Sequence, residues 1–112
     1  MFKLIVFLIF IFYSEAYIFI TTKNTYNGTI TYDGLFKACI SEYNNSKPCT
    51  RIQLLDKFWK QNISVSWILE LDINCVGYTT ASEESIGTCI VKQFGQVTEC
   101  SCNMNIPICC YT

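Results

Sequence analysis

The clearest pattern in the chain covers residues 64–73, where apolar and polar positions alternate. The members of the apolar set are Val65, Trp67, Leu69, Leu71 and Ile73. Because successive side chains of a strand point to opposite faces, this pattern predicts a strand with one buried face. Trp67 is therefore expected in the core.

Two stretches in the first half have helical spacing. The first has an apolar face formed by Leu35, Phe36, Cys39, Ile40 and Tyr43, and Asp33 is placed to cap it. A second helix is predicted from Thr50, whose spacing to Gln53 is that of a capping box, to about Asn62. Trp59 lies on its buried face.

Further strands are predicted on both sides of these helices. Asn27-Gly28 lies between two strand-like runs and predicts a first hairpin over residues 17–32. Residues 75–80 read as the next strand or its turn, and a second hairpin is expected around Gly95. Residues 106–111 form a final strand, with Pro107 favouring its edge or its start. The fold class is α+β, with two helices of the N-terminal half packed on an antiparallel sheet.

Residues 1–16 have the organisation of a secretory leader. A short positive head is followed by an apolar stretch over 4–13 and by Ser14-Glu15-Ala16, a cleavage site of the small-x-small type. The alternative is an uncleaved membrane anchor, because apolar residues resume after Ala16. We predict a cleaved signal peptide, 1–16, and a single disulfide-rich domain, 17–112.

Eight cysteines follow the leader, and an even number in an exported chain predicts disulfides. They are Cys39, Cys49, Cys75, Cys89, Cys100, Cys102, Cys109 and Cys110. Metal binding is disfavoured because the closely spaced pairs lack the two-residue gap of a zinc knuckle. We expect no cofactor.

The direction of side chains restricts the pairing of these cysteines. Neighbours Cys109 and Cys110 on one strand point to opposite faces and are poorly placed to bridge each other. We hypothesise that they reach back to the two helix cysteines, Cys39 and Cys49. The remaining pair, Cys75 and Cys89, would then take Cys100 and Cys102.

Charge and composition exclude several classes of function. The chain has eight Lys and Arg, nine Asp and Glu, and no His. Without a basic cluster nucleic-acid binding is not supported, and a membrane is a partner only if the leader is uncleaved. Without His every imidazole-dependent centre is excluded. The carboxylates Glu70 and Asp72 are interpreted as a solvated face, so we do not expect an enzyme.

Three sequons predict N-linked glycosylation at exposed turns, at Asn27, Asn44 and Asn62. Tyr43, Tyr78 and Tyr111 are candidates for a recognition surface, because tyrosine offers a large area with a polar tip.

Scattered positions over residues 33–112 resemble small secreted cysteine-rich domains of bacterial extracellular proteins, whose layout is similar to C-type-lectin-like folds. They include Cys39 on the first helix, Trp67, the run Cys75-Val76-Gly77-Tyr78-Thr79, and Pro107-Ile108-Cys109-Cys110. The resemblance implies that a helix cysteine pairs with the final strand and that two later cysteines close a loop. The calcium and sugar motifs of true C-type lectins are absent from this sequence.

These features together predict a secreted glycoprotein that binds an extracellular or cell-surface protein or glycan. An alternative is a secreted effector, such as a toxin, a pheromone or a virus-encoded immune modulator, that acts on a receptor. A small hydrolase that works through carboxylates is a third and weaker interpretation. The oligomeric state does not follow from the sequence.

Overall fold

The structure is a computed structural model that describes residues 17–54, 65–90 and 96–112. The described chain has an α+β fold, as predicted, with three helices and two three-stranded antiparallel sheets. The helices are α1 (Tyr32–Glu42), α2 (Arg51–Leu54) and α3 (Cys75–Tyr78). The strands are β1 (Phe19–Thr21), β2 (Lys47–Pro48), β3 (Ser66–Trp67), β4 (Ile86–Ile90), β5 (Val97–Ser101) and β6 (Cys109–Tyr111).

Strand β6 is the centre of the first sheet, whose order is β1-β6-β2. The second sheet has the order β3-β4-β5. The backbone joins the two sheets where the amide of Trp67 donates to the carbonyl of Pro107. Pro107 lies just before β6. Its missing amide hydrogen therefore removes no hydrogen bond of the strand.

The alternation of side chains along the strands separates two apolar cores. Cys110 belongs to the larger core with Leu35, Trp67 and Tyr78. Its neighbour Cys109 belongs to a smaller core that is formed with Phe19, Cys49, Ile68 and Ile90. In the same way, Trp67 belongs to the larger core and its neighbour Ile68 to the smaller one. Adjacent residues therefore face different cores.

Four disulfides cross these cores and pair all eight cysteines. They are Cys39–Cys110, Cys49–Cys109, Cys75–Cys102 and Cys89–Cys100. This is the division of partners proposed from the sequence. Cys109 and Cys110 take the two cysteines near the helices, and the four central cysteines bridge among themselves.

Helix α1 begins earlier than predicted and is capped by a different residue. The Thr31 hydroxyl accepts a hydrogen bond from the Gly34 amide at 3.0 Å, whereas Asp33 lies in the first turn and pairs with Lys37. The predicted apolar face was also partly wrong. Leu35 and Cys39 are buried, but Phe36 and Ile40 are exposed, because Cys39 must face Cys110 and this fixes the rotation of the helix.

The predicted hairpin over residues 17–32 is wrong. β1 pairs with β6, and Tyr26 forms an isolated bridge with Ile106. The first segment therefore pairs with the C-terminal segment and does not fold back on itself as a hairpin. The role of Gly28 is close packing. A Cβ atom there would lie 2.7 Å from Cys75 Sγ, so no side chain fits.

The predicted strand over residues 64–73 is limited to Ser66–Trp67. The Ile68 amide still donates to the carbonyl of Thr88 in β4 at 3.3 Å, but the backbone that follows has other partners. The Tyr78 hydroxyl donates to the carbonyl of Ile68 at 2.7 Å and accepts from the amide of Glu70 at 2.9 Å. Leu71, predicted inside, is exposed. After Ile68, the Leu69 amide donates to the carbonyl of Cys49 at 2.8 Å and the Glu70 amide donates to the Tyr78 hydroxyl.

The capping box at Thr50 is confirmed in part. The Gln53 side-chain oxygen accepts from the Thr50 amide at 2.8 Å and from its hydroxyl at 2.6 Å. The rest of that predicted helix, with Trp59 and the sequon at Asn62, lies outside the described residues. The second predicted hairpin is confirmed by the register of β4 and β5, from Ile86↔Ser101 to Ile90↔Val97, whereas Gly95 lies outside the described residues.

Loss of the Cys39–Cys110 bridge is expected to destabilise the fold more than loss of Cys89–Cys100. The two bridges span 71 and 11 residues, and in the chain-entropy model their removal costs about 4 and about 3 kcal/mol. The measurement is urea unfolding of the variants Cys39→Ala/Cys110→Ala and Cys89→Ala/Cys100→Ala. Equal losses of stability, or a greater loss for the short bridge, would contradict the expectation that the bridge closing the longer loop contributes more.

Candidate interaction surface

The backbone of α3 is a single left-handed turn. Its φ angles are 57° at Cys75, 55° at Val76, 68° at Gly77 and 60° at Tyr78. Three of these four residues are not glycine, and an L-residue in this region costs roughly 1–2 kcal/mol. β-Branched Val76 is the least expected of them. The turn therefore stores strain that its surroundings must offset.

Contacts on both sides hold this strained turn in place. The Asn74 side-chain oxygen accepts from the Gly77 amide at 2.8 Å, and its amide group donates to the carbonyls of Glu70 and Leu71. Cys75 is fixed by its bridge to Cys102. Gly87 packs so closely that a Cβ atom there would lie 2.6 Å from Cys75 Sγ.

Tyr78 anchors the end of the turn in the larger core. It is 1% exposed, and its hydroxyl makes the two backbone hydrogen bonds to Ile68 and Glu70 described above. Burial disfavours the charged phenolate and raises the pKa of Tyr78 to about 12. Its prediction as an exposed recognition residue was wrong.

Tyr32 connects α1 to the strained turn. Its hydroxyl accepts a hydrogen bond from the Asn74 amide at 2.6 Å, and its ring meets that of Tyr78 edge-on with centroids 5.0 Å apart. A Cβ atom on Gly77 would lie 3.8 Å from Tyr32 Cε2. The start of α1 and the turn are therefore in direct contact.

Exposed apolar side chains extend from this junction in both directions. Phe36 and Ile40 follow Tyr32 at intervals of four residues and so share its side of α1. Leu71 and Val76 belong to the segment that Asn74 organises. The exposed fractions are 38% for Tyr32, 38% for Phe36, 55% for Ile40, 81% for Leu71 and 72% for Val76. We call these five residues the α1–α3 surface.

Two charged residues of α1, next to Tyr32 and Phe36 in the sequence, pair with each other. Asp33 and Lys37 form an i,i+4 ion pair at 2.8 Å on α1, and both side chains are highly exposed. The carboxylate of Asp33 raises the pKa of Lys37, so the amine stays charged. A pair of this kind contributes little to stability. Asp72, next to Leu71, is also exposed.

Of the two carboxylates named from the sequence, Asp72 is exposed and Glu70 has structural partners, as does Glu42. Glu70 forms an ion pair with Arg51, and its backbone amide is bonded to Tyr78. Glu42 accepts from the amides of Lys23 and Asn24. Within the described residues no group of His, Cys, Asp and Glu side chains is arranged to hold a metal ion. In the same part of the chain, no helix is long and apolar enough to cross a membrane.

The remaining predicted residues are spread over the structure. Tyr43 is half-buried and donates to the carbonyl of Thr21, whereas Tyr111 is half-buried and packs against Tyr17. The sequon residue Asn44 is exposed in the turn after α1, and Asn27 is half-buried before Gly28. Neither tyrosine belongs to the α1–α3 surface.

The sequence reasoning missed the α1–α3 surface because it assigned Phe36, Ile40 and Leu71 to buried faces. One signal was available for α1. If Cys39 must bridge, the buried face is centred on Cys39 and Leu35, and this leaves Phe36 and Ile40 displaced toward solvent. The left-handed turn had no such signal, since a valine does not indicate a positive φ.

Comparison with known proteins gives no relative: no protein-family model, no curated protein and no solved structure matches this chain.

Replacement of Val76 by Asn is expected to stabilise the protein by about 1 kcal/mol. Asn tolerates the left-handed conformation better than a β-branched residue, and an exposed valine contributes little packing. The measurement is the midpoint of urea unfolding, compared with Ile18→Asn, which changes an exposed residue of extended backbone. A destabilised Val76→Asn variant would show that the valine side chain is required for packing.

The stability of the protein is expected to fall between pH 10 and 12 because of Tyr78. The pKa is raised in the folded state, so the unfolded chain loses this proton first and gains stability above pH 10. The free energy of unfolding should decrease by about 1.4 kcal/mol per pH unit from this group. The stability contribution is fully present below pH 10.

The check is urea unfolding at several pH values, in which Tyr78→Phe should lose this extra dependence. Tyr111→Phe serves as the matched control and should keep it. An unchanged pH dependence in Tyr78→Phe would contradict the assignment.

Proposed function

We propose that the protein is a secreted recognition module that binds an extracellular or cell-surface protein through the α1–α3 surface. The observation that carries the proposal is the exposure of five apolar side chains around a strained turn. Large apolar patches that are exposed on a soluble protein commonly mark interaction sites. Strained backbone that persists is also concentrated at functional sites.

The chemistry of the surface favours a protein partner over a glycan. Its members are aromatic or aliphatic, with one tyrosine hydroxyl that is already engaged by Asn74. Apolar and aromatic anchors that enter a partner's pocket dominate protein interfaces. A glycan would be recognised mainly through free polar groups, and these five side chains offer few.

Export is supported by the state of the cysteines. All eight are paired, and multiple structural disulfides persist in oxidising compartments. The proposal therefore includes cleavage of the leader after Ala16, extracellular localisation and glycosylation at the sequons. An effector that acts on a receptor would use the same surface, and it is distinguished by a biological response at low concentration.

The C-type-lectin-like resemblance is part of this proposal. What supports it is the bridge from Cys39 on α1 to Cys110 on β6, since a link between a helix and the final strand is what the resemblance implies. We propose no catalytic role, because Glu70, Glu42 and Asp33 are each engaged by neighbouring groups.

The proposal predicts that Val76→Asn weakens binding to cells while the protein becomes more stable. Loss of one central apolar anchor is expected to cost about 1–2 kcal/mol, which is roughly a tenfold loss of affinity. The measurement is equilibrium binding of the labelled, oxidised protein to a panel of intact cells. Because the fold is not weakened, a loss of binding reports the surface itself.

Further variants and treatments complete this experiment. Ile40→Gln tests the surface from α1, and Ile18→Asn is the control that removes an exposed apolar side chain elsewhere. Protease treatment of the cells should abolish binding, whereas glycosidase treatment should not. Unchanged affinity in both Val76→Asn and Ile40→Gln would refute the assigned surface, and loss of binding after glycosidase alone would identify a glycan partner instead.

A further inference from the structure

A shallow groove lies beside the N-terminal segment, and none of its lining residues is one of the five of the α1–α3 surface. It has a volume of about 240 Å³. Its lining combines hydroxyl and amide groups with one aromatic ring and one aliphatic side chain. The lining residues are Thr25, Tyr26, Asn27, Thr29, Ile30 and Asn105. Two of these, Asn27 and Thr29, are the first and third residues of a sequon.

The acceptor side chain of that sequon is held in one orientation. The Asn27 side-chain oxygen accepts from the Thr29 amide at 3.0 Å and from the Thr29 hydroxyl at 2.6 Å. Both lone pairs of the oxygen are thereby used, and the Nδ2 group projects from the opposite side of the amide. Nδ2 is the atom that an N-linked sugar occupies.

The backbone under the groove is anchored to the rest of the fold. Tyr26 and Ile106 exchange two backbone hydrogen bonds, of 2.9 and 3.1 Å, and the Trp67 indole donates to the Tyr26 carbonyl. The Gly28 amide donates to the carbonyl of Cys102 at 2.9 Å. A group attached to Asn27 therefore starts from a fixed position at the edge of the groove.

We propose that Asn27 carries an N-linked glycan and that its first sugar, an N-acetylhexosamine, lies in this groove. The bond forms between Asn27 Nδ2 and C1 of the sugar. Nδ2 loses one proton, and the lipid pyrophosphate of the oligosaccharide donor is the leaving group. The Tyr26 ring and Ile30 cover the apolar side of the sugar, and the Asn105 amide bonds its polar substituents.

The second described sequon provides an internal comparison. Asn44 is exposed in the turn after α1 and does not line this groove. A glycan on Asn44 would not start from the edge of this groove. The two sites are expected to differ in their effect on stability even if both are occupied.

The inference rests on the proposed export through a glycosylating pathway but not on the binding surface. It is tested with full-length protein secreted from eukaryotic cells. Mass spectrometry of the peptide that contains Asn27 should show the glycan, and Thr29→Ser should retain it while Asn27→Gln loses it. An endoglycosidase that leaves the first sugar should leave Tm unchanged, whereas complete removal with an amidase should lower Tm by a few degrees.

Two controls isolate the sugar from other changes. Asn27→Asp reproduces the charge that the amidase creates, and removal of the Asn44 glycan in Asn44→Gln should not alter Tm. Nuclear Overhauser effects between the first sugar and the Tyr26 ring or Ile30 should be present. An unmodified Asn27, or equal Tm values for the trimmed and fully deglycosylated forms without these contacts, would overturn the proposal. Each outcome is independent of cell binding by Val76→Asn.

Discussion

The structure depends on two adjacent cysteines in the central strand of one sheet. Cys109 and Cys110 point to opposite faces of β6, and each is bonded to a different part of the N-terminal half. One bridge fixes α1 against the larger core, and the other fixes the start of α2 against the smaller core. A domain of this size buries only a modest apolar area, so packing alone stabilises it weakly. The two disulfides therefore supply a large share of its stability.

The elements that could be predicted from the sequence are those whose signal is local or covalent. The helical spacing around Cys39 and the Thr50 and Gln53 pair depend on neighbours within a few residues, and the β4–β5 hairpin pairs two strands that follow one another in the chain. The opposite directions of Cys109 and Cys110 follow from the geometry of any strand. These features needed no knowledge of the remaining fold.

The elements that could not be predicted depend on contacts that no local pattern in the sequence indicates. The Asn27-Gly28 pair resembles a hairpin turn, but Gly28 is required because Cys75 packs against it from more than forty residues away. The strand predicted over residues 64–73 is limited to Ser66–Trp67, and the Tyr78 hydroxyl bonds the carbonyl of Ile68 and the amide of Glu70 that follow it. For the same reason the α1–α3 surface was missed, since its exposure follows from how Cys39 and Asn74 are held.

The position of β6 also determines when the molecule can acquire its native bridges. β6 is C-terminal to every other described element, yet β1, β2, Cys39 and Cys49 all require it as their partner. A nascent chain therefore carries these two thiols without native partners until residue 110 has left the ribosome. Oxidation during synthesis would join wrong partners, so assembly is a late event that relies on thiol–disulfide exchange in the compartment where the chain matures.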